Sequence, residues 1–302
     1  MISLLFFVFH DLATVTKNAS MKAFLGTGLL GSNFVKAMLK RGEAVQVWNR
    51  TAEKATALES VGAKAFASVA DAVRGASLVH LTLKDDASVD DVLEKAKDGF
   101  GPDTIIVDHT TTSKEGAIRR TREWKERGFR YQHAPVFMGP SNALEATGFM
   151  LLSGNQELIS QLEPELSKMT GRLLHFGAEV GKAAAMKLVG NAFLVCFTTG
   201  IRDTLALAKA LGVPAGDVTA LFENWNPGAQ LLARMQRMTK GSYSPPSWEL
   251  QMARKDTQLF LEAAQEAGEH LAVIPGAAAL MDEWMAKGFG DEDWTVIAKD
   301  VI

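Results

Sequence analysis

Gly26-Thr27-Gly28-Leu29-Leu30-Gly31 sets three glycines in the spacing GxGxxG, directly after a short apolar run and directly before a helical pattern. In that setting the first glycine permits a tight turn, the second lets a phosphate approach the backbone, and the third lets helix pack close to strand. The start of the helix then offers free N–H groups and the positive end of its dipole to an anion. The spacing alone also fits an ordinary glycine-rich turn. Its position between strand and helix favours a dinucleotide pyrophosphate, with Leu29 at the helix start and Leu83 at the end of a later strand beside it.

The next strand ends in Asn49-Arg50-Thr51, with Lys54 one turn further on. A site for NAD usually carries a carboxylate here to accept from the ribose 2′-hydroxyl, and that carboxylate would repel a 2′-phosphate. None is present. Arg50 can pair with such a phosphate, Thr51 can donate to it and Lys54 adds charge, so NADP(H) is expected. An exposed polar helix start, with Thr51 as its cap, is the plain alternative.

Lys187 and Asn191 are four residues apart, on one face of a long helical pattern. The neighbours Ala183, Ala184, Ala185 and Met186 are small or apolar, so Lys187 can lose its water, which lowers an amine pKa toward the range useful for proton transfer. Spacing alone fits a solvated lysine equally well. His109 and His133 fall at the ends of apolar runs, where a proton relay or simple packing would each account for them, and His80 reads as core.

These groups need a scaffold. Apolar runs at 22–25, 44–48, 78–83, 104–107 and 130–133, with weaker ones at 63–66, 149–151 and 173–175, alternate with helical stretches at 32–41, 51–60, 69–73 and 114–128. Such alternation implies a doubly wound parallel sheet, an α/β Rossmann domain over 21–181. Residues 182–211 contain no proline, stop at Gly212 with Pro214 beyond, and predict a connecting helix about 45 Å long. An all-α C-terminal domain follows, with helices near 214–223, 229–238, 248–267, 274–287 and 293–302, so the second domain is 182–302. Residues 1–20 hold an apolar run too short to span a bilayer and are read as an N-terminal extension outside the fold.

The balance of 32 Lys and Arg against 35 Asp and Glu in 302 residues shows no basic footprint for nucleic acid or a membrane surface. The single cysteine, Cys196, forms no internal disulfide and suits a reducing, cytoplasmic setting, and no Cys/His pairing suggests a metal. A small-molecule partner is expected.

Taken in order, the glycine loop, Asn49-Arg50-Thr51, Val107-Asp108-His109-Thr110-Thr111, Ala134-Pro135-Val136, Gly181 through Lys187 to Asn191, and Lys255-Asp256 resemble the β-hydroxyacid dehydrogenase family across residues 21–302. That family includes 3-hydroxyisobutyrate dehydrogenases, NADPH-dependent glyoxylate/succinic semialdehyde reductases and relatives of 6-phosphogluconate dehydrogenase. The resemblance implies that Lys187 is the catalytic lysine, that Asn191 helps bind substrate, that Thr111 lies near the nicotinamide and that Lys255 reaches the cofactor. It also implies a homodimer or homotetramer.

The substrate loop departs from the pattern. Where the family reads Ala-Pro-Val-Ser-Gly-Gly, this chain has Ala134-Pro135-Val136-Phe137-Met138-Gly139. A hydroxyl donor and one glycine of the carboxylate cradle are gone, although the backbone of Gly139, Ser141 or Asn142 could take their place. The expected activity is reversible NADPH-dependent reduction of a small aldehyde or ketone, with Lys187 as general acid and base. An imine reductase, which generally lacks such a lysine, and a non-catalytic NADP-binding module are the alternatives.

Overall fold

The computed structural model describes residues 21–302, so the reading of residues 1–20 lies outside the described residues. The chain forms two compact units that divide after Gly190.

The strands of the first unit are β1 (Lys22–Leu25), β2 (Val45–Trp48), β3 (Lys64–Ala65), β4 (Leu78–Leu81), β5 (Ile105–Asp108), β6 (Arg130–His133), β7 (Val136–Phe137), β8 (Phe149–Leu152) and β9 (Arg172–His175). Its helices are α1 (Leu29–Lys40), α2 (Ala52–Thr56), α3 (Val69–Val73), α4 (Asp86–Ala96), α5 (Lys114–Glu126), α6 (Pro140–Glu145), α7 (Gln156–Leu166) and the start of α8 (Lys182–Ala210). Strands β1 to β6 make one parallel sheet in the order β3-β2-β1-β4-β5-β6. The order reverses between β1 and β4, and ligands bind such sheets in the crevice beyond the strand ends at that point.

Both faces of this sheet are covered, as parallel sheets require. Along β1, Phe24 enters one apolar core with Phe34, Met38 and Val47, while Ala23 and Leu25 enter the other with Val79, Leu93 and Ile106. A second sheet, β7-β8-β9, runs antiparallel between β7 and β8 and parallel between β8 and β9. The two-residue β7 is not anticipated by the sequence reading, nor are α4, α6 and α7.

The two compact units divide inside α8. The physical reason is local: the first turns of α8 are tied to the first unit, where Ala183 donates its N–H to Ser153 Oγ at 2.9 Å.

The second unit holds the rest of α8 with α9 (Ala215–Asn224), α10 (Leu231–Lys240), α11 (Leu250–Glu266) and α12 (Ile274–Ala286). Tyr243, Leu250, Met281, Trp284 and Val296 form its core. Two buried carboxylates pin it together. Asp203 accepts the N–H groups of Ala272, Val273 and Ile274 at the head of α12. Burial would raise its pKa, but those donors and Arg202 outweigh burial and hold it at about 2. Asp293 is held at about 2 by the same balance, accepting from Thr295 and Ser247 and pairing with Arg237.

Candidate active site

Beyond the ends of β1, β2, β4 and β5 lies a cleft of 570 Å³. The glycine loop forms one wall. Gly26 has φ +92°, and a Cβ there would sit 2.2 Å from the Thr82 carbonyl oxygen. A Cβ at Gly31 would lie 2.0 Å from the Gly26 carbonyl oxygen, whereas one at Gly28 would meet nothing within 4 Å. The outer two glycines are therefore demanded by the protein's own backbone, and the middle one faces open space. Gly28 is also the N-cap of α1 and supplies no side-chain cap, which leaves the helix start to an anion. This backbone cradle fits a dinucleotide pyrophosphate.

Asn49 holds the cradle to the end of β2. Its Oδ1 accepts the Thr27 N–H at 3.0 Å and its Nδ2 donates to the Thr51 carbonyl at 2.9 Å. Arg50, Thr51 and Lys54 line the cleft beside it. Arg50 is exposed and makes no hydrogen bond or ion pair among the described residues, so its guanidinium is available. Leu29, 81% exposed, and Leu83 line the same cleft.

At the cleft's other lining are His109, Thr110, Thr111, Val136, Met138 and Lys187. Thr111 is exposed there because the turn before it is fixed. Asp108 accepts the Thr110 N–H at 2.9 Å and the Tyr131 hydroxyl at 2.6 Å, and Thr110 Oγ1 accepts the Leu83 N–H at 3.0 Å.

The histidines are packed, hydrogen-bonded groups. His109 Nδ1 stands 2.8 Å from the Ala134 carbonyl, which can only accept, so Nδ1 carries the proton. His109 Nε2 then accepts from His80 Nδ1 at 3.0 Å, which leaves His80 Nε2 buried without a partner among the described residues. Burial lowers the His109 pKa to about 4 and lowers those of His80 and His133 as well, so all three are neutral near pH 7. His133 Nε2 donates to the Thr110 carbonyl at 2.9 Å. With both ring nitrogens committed, His109 braces the loop that begins at Ala134 and does not relay protons.

Lys187 is 8% exposed and has no hydrogen-bond acceptor or ion-pair partner among the described residues. Burial lowers its pKa. Its Nζ lies 4.2 Å from the centroid of the Phe137 ring. Phe137 and Met138 are both half-buried. Gly139 does not offer the free backbone donor that the sequence left open: its N–H is taken by Asn142 Oδ1 at 2.8 Å, and Asn142 Nδ2 is taken by Thr147 Oγ1 at 2.9 Å. Two of the loop's spare donors are thus engaged, while Ser141 is exposed and its hydroxyl makes no hydrogen bond among the described residues.

Two expected site residues belong to the second unit. Asn191 begins it, one helical turn after Lys187 on the same face of α8. Lys255, on α11, is exposed and pairs with Asp256 at 2.7 Å. The cleft described above does not include either.

Known proteins match both units. Residues 22–177 fit the NAD binding domain of 6-phosphogluconate dehydrogenase, and residues 181–301 fit the NAD-binding domain of NADP-dependent 3-hydroxyisobutyrate dehydrogenase. Glyoxylate/succinic semialdehyde reductase 2 of Arabidopsis thaliana is 28% identical over 281 residues, covering 91% of this chain and 77% of its own. The 3-sulfolactaldehyde reductase of Escherichia coli strain K12 is 24% identical, covering 92% of this chain and 95% of its own. Among solved structures, an imine reductase from Myxococcus stipitatus in complex with NADP+ has the same fold, with a TM-score of 0.87 at 22% identity over 93% of this chain and 100% of its own. With a glycine cradle beyond β1, a desolvated lysine at the head of α8 and both domain families matched in order, the chain belongs to the β-hydroxyacid dehydrogenase family of NAD(P)-dependent oxidoreductases.

Proposed function

We propose that this chain is an NADP(H)-dependent reductase of small aldehydes or ketones that carry no carboxylate, working reversibly on the corresponding alcohols. The observation that carries the reading is Lys187, buried without an acceptor among the described residues in the cleft that the glycine cradle opens. The cofactor, when bound, exchanges a hydride with the substrate carbon. Lys187 as ammonium donates its proton to the developing alkoxide, and as neutral amine takes it back in the reverse direction. Because burial lowers its pKa, the amine is within reach of both forms at lower pH than a free lysine would be. Reduction therefore fades as pH rises through that lowered pKa, and oxidation gains. Asn191 serves to orient the substrate oxygen.

The test is NADPH oxidation against butanal, cyclohexanone, glyoxylate, succinic semialdehyde and a cyclic imine. Butanal or cyclohexanone should lead. A cyclic imine in first place would favour an imine reductase, and no turnover of any compound would favour a binding module.

Arg50, Thr51 and Lys54 support NADP(H) over NAD(H). Loss of one charge-assisted contact costs roughly 1.5–3 kcal/mol. Arg50→Ala should accordingly weaken NADPH binding about tenfold or more and leave NADH nearly unchanged, as read by fluorescence titration. Tighter binding of NADH than NADPH by the unaltered protein would refute the preference.

The apolar stretch of α8 supports a second copy as its cover. Val189, Phe193, Leu194, Val195, Phe197 and Ile201 are all exposed, Val195 by 65%. By length and composition α8 could cross a membrane. However, Lys187 lies in the cleft, and Asp203 is committed to the head of α12. The apolar stretch between them is about 20 Å long, short of the ~30 Å of a bilayer core. A homodimer or larger homo-oligomer fits better. Light scattering should give at least twice the monomer mass, and Val195→Asp with Phe197→Asp should return it to one. A monomer at micromolar concentration would rule the assembly out.

A further inference from the structure

Lys187 is an ammonium in an awkward place. It is buried, it belongs to the second turn of α8 where the helix dipole is positive, and no carboxylate or carbonyl accepts from it among the described residues. The titratable groups that line the same cleft are His109, which is neutral, with Arg50, Lys54, Lys84, Asp91 and Lys95, and none of them pairs with it. One group does face it. The Phe137 ring lies with its centroid 4.2 Å from Nζ, inside the range at which an aromatic face attracts a cation.

The ring is held there by a second feature. A Cβ added at Gly190 would fall 2.3 Å from the ring's Cζ and 2.8 Å from its Cε1. Gly190 is three residues after Lys187 on the same helix, so the missing side chain opens a flat patch on α8 against which the ring rests. Gly190 has ordinary helical backbone and needs no glycine for its own conformation. The position is small because Phe137 occupies the space.

We propose that Phe137 is the positioning residue for Lys187, its ring face holding the ammonium in the cleft in place of a hydrogen-bond acceptor, with Gly190 as the seat of the ring. This rests on Lys187 being the proton donor. It assigns to Phe137 a part in proton transfer, beyond excluding carboxylates from the substrate loop. A ring face favours the charged form, so its removal lowers the lysine pKa, and reduction then fails at lower pH.

The experiment uses the full chain, NADPH and the best-reduced carbonyl of the panel above. Phe137→Leu keeps apolar bulk and deletes the π face. Its kcat for reduction should fall roughly tenfold, and the alkaline limb of its kcat–pH profile should move down by about one unit, with NADPH affinity unaltered. Phe137→Tyr should recover most of what Phe137→Leu loses. Gly190→Ala should give the same signature with Phe137 intact. Alanine favours helix at that position, so a loss there reports displacement of the ring and not of the helix. If Phe137→Leu and Gly190→Ala both keep the kcat and the alkaline limb of the unaltered enzyme while Lys187→Met is inactive, the inference is overturned and the role of Lys187 stands. If Lys187→Met is itself active, the reading beneath it is what fails.

Discussion

Lys187→Met should lower turnover by ~10²–10⁴, the usual worth of a positioned general acid, and leave NADPH affinity within a few-fold. Methionine matches the length and apolar stem of lysine, so the buried site stays filled and only the proposed proton donor is removed. The cradle that holds the cofactor, from Gly26 to Gly31 with Asn49 behind it, makes no use of Lys187. Steady-state kinetics beside cofactor titration separate the two effects. A variant that kept more than about a tenth of the turnover would show an ordinary buried lysine. One that lost NADPH affinity in parallel would place the lysine on the cofactor.

Glyoxylate and succinic semialdehyde should be poor substrates, disfavoured by up to ~10⁴ against the best uncharged carbonyl, because a substrate loop with fewer donors solvates a buried carboxylate poorly. Phe137 and Met138 remove the side-chain donor and one flexible residue from the loop, and the Gly139 N–H is bound to Asn142. Phe137→Ser with Met138→Gly should raise the ratio of acid to uncharged substrate, even though absolute turnover drops when the ring leaves Lys187. Asn142→Ala, which frees the Gly139 N–H, should raise the same ratio more weakly. The idea is lost if the unaltered enzyme reduces either acid with kcat/KM on the order of 10⁴ M⁻¹s⁻¹ or above, which is ordinary enzyme efficiency.

Much of the frame is legible in one dimension because its signals are local. The apolar run of β1, the glycine spacing and the start of α1 are contiguous, and β1 and β6 fall where the periodicity places them. The long α8 announces itself by the absence of proline and its stop at Gly212. The elements that escape are those whose signals are weak or contrary. Helix α4 is rich in aspartate, α7 carries Pro164 in its interior, and β7 is two residues long and exists only by pairing with β8. Within the site, residue types were readable and their commitments were not. That His109 has both nitrogens engaged and that Phe137 faces Lys187 depend on partners 25 and 50 residues away that no spacing encodes, whereas the bond that takes the Gly139 N–H is a local helix-cap contact three residues long, a signal the sequence reading passed over.

The amide of Asn49 and the guanidinium of Arg50 divide two tasks between adjacent residues. Asn49 spends its oxygen on Thr27 and its nitrogen on Thr51, so it is part of the mould that shapes the phosphate loop. Arg50 shapes nothing and only carries charge to the cleft. Form and preference are thus separable by one peptide bond. If Arg50 carries the preference, as proposed, a lineage or a designer should be able to shift which dinucleotide is favoured by exchanging residue 50 while the loop keeps its contour. Any route that goes through residue 49 must rebuild the loop at the same time.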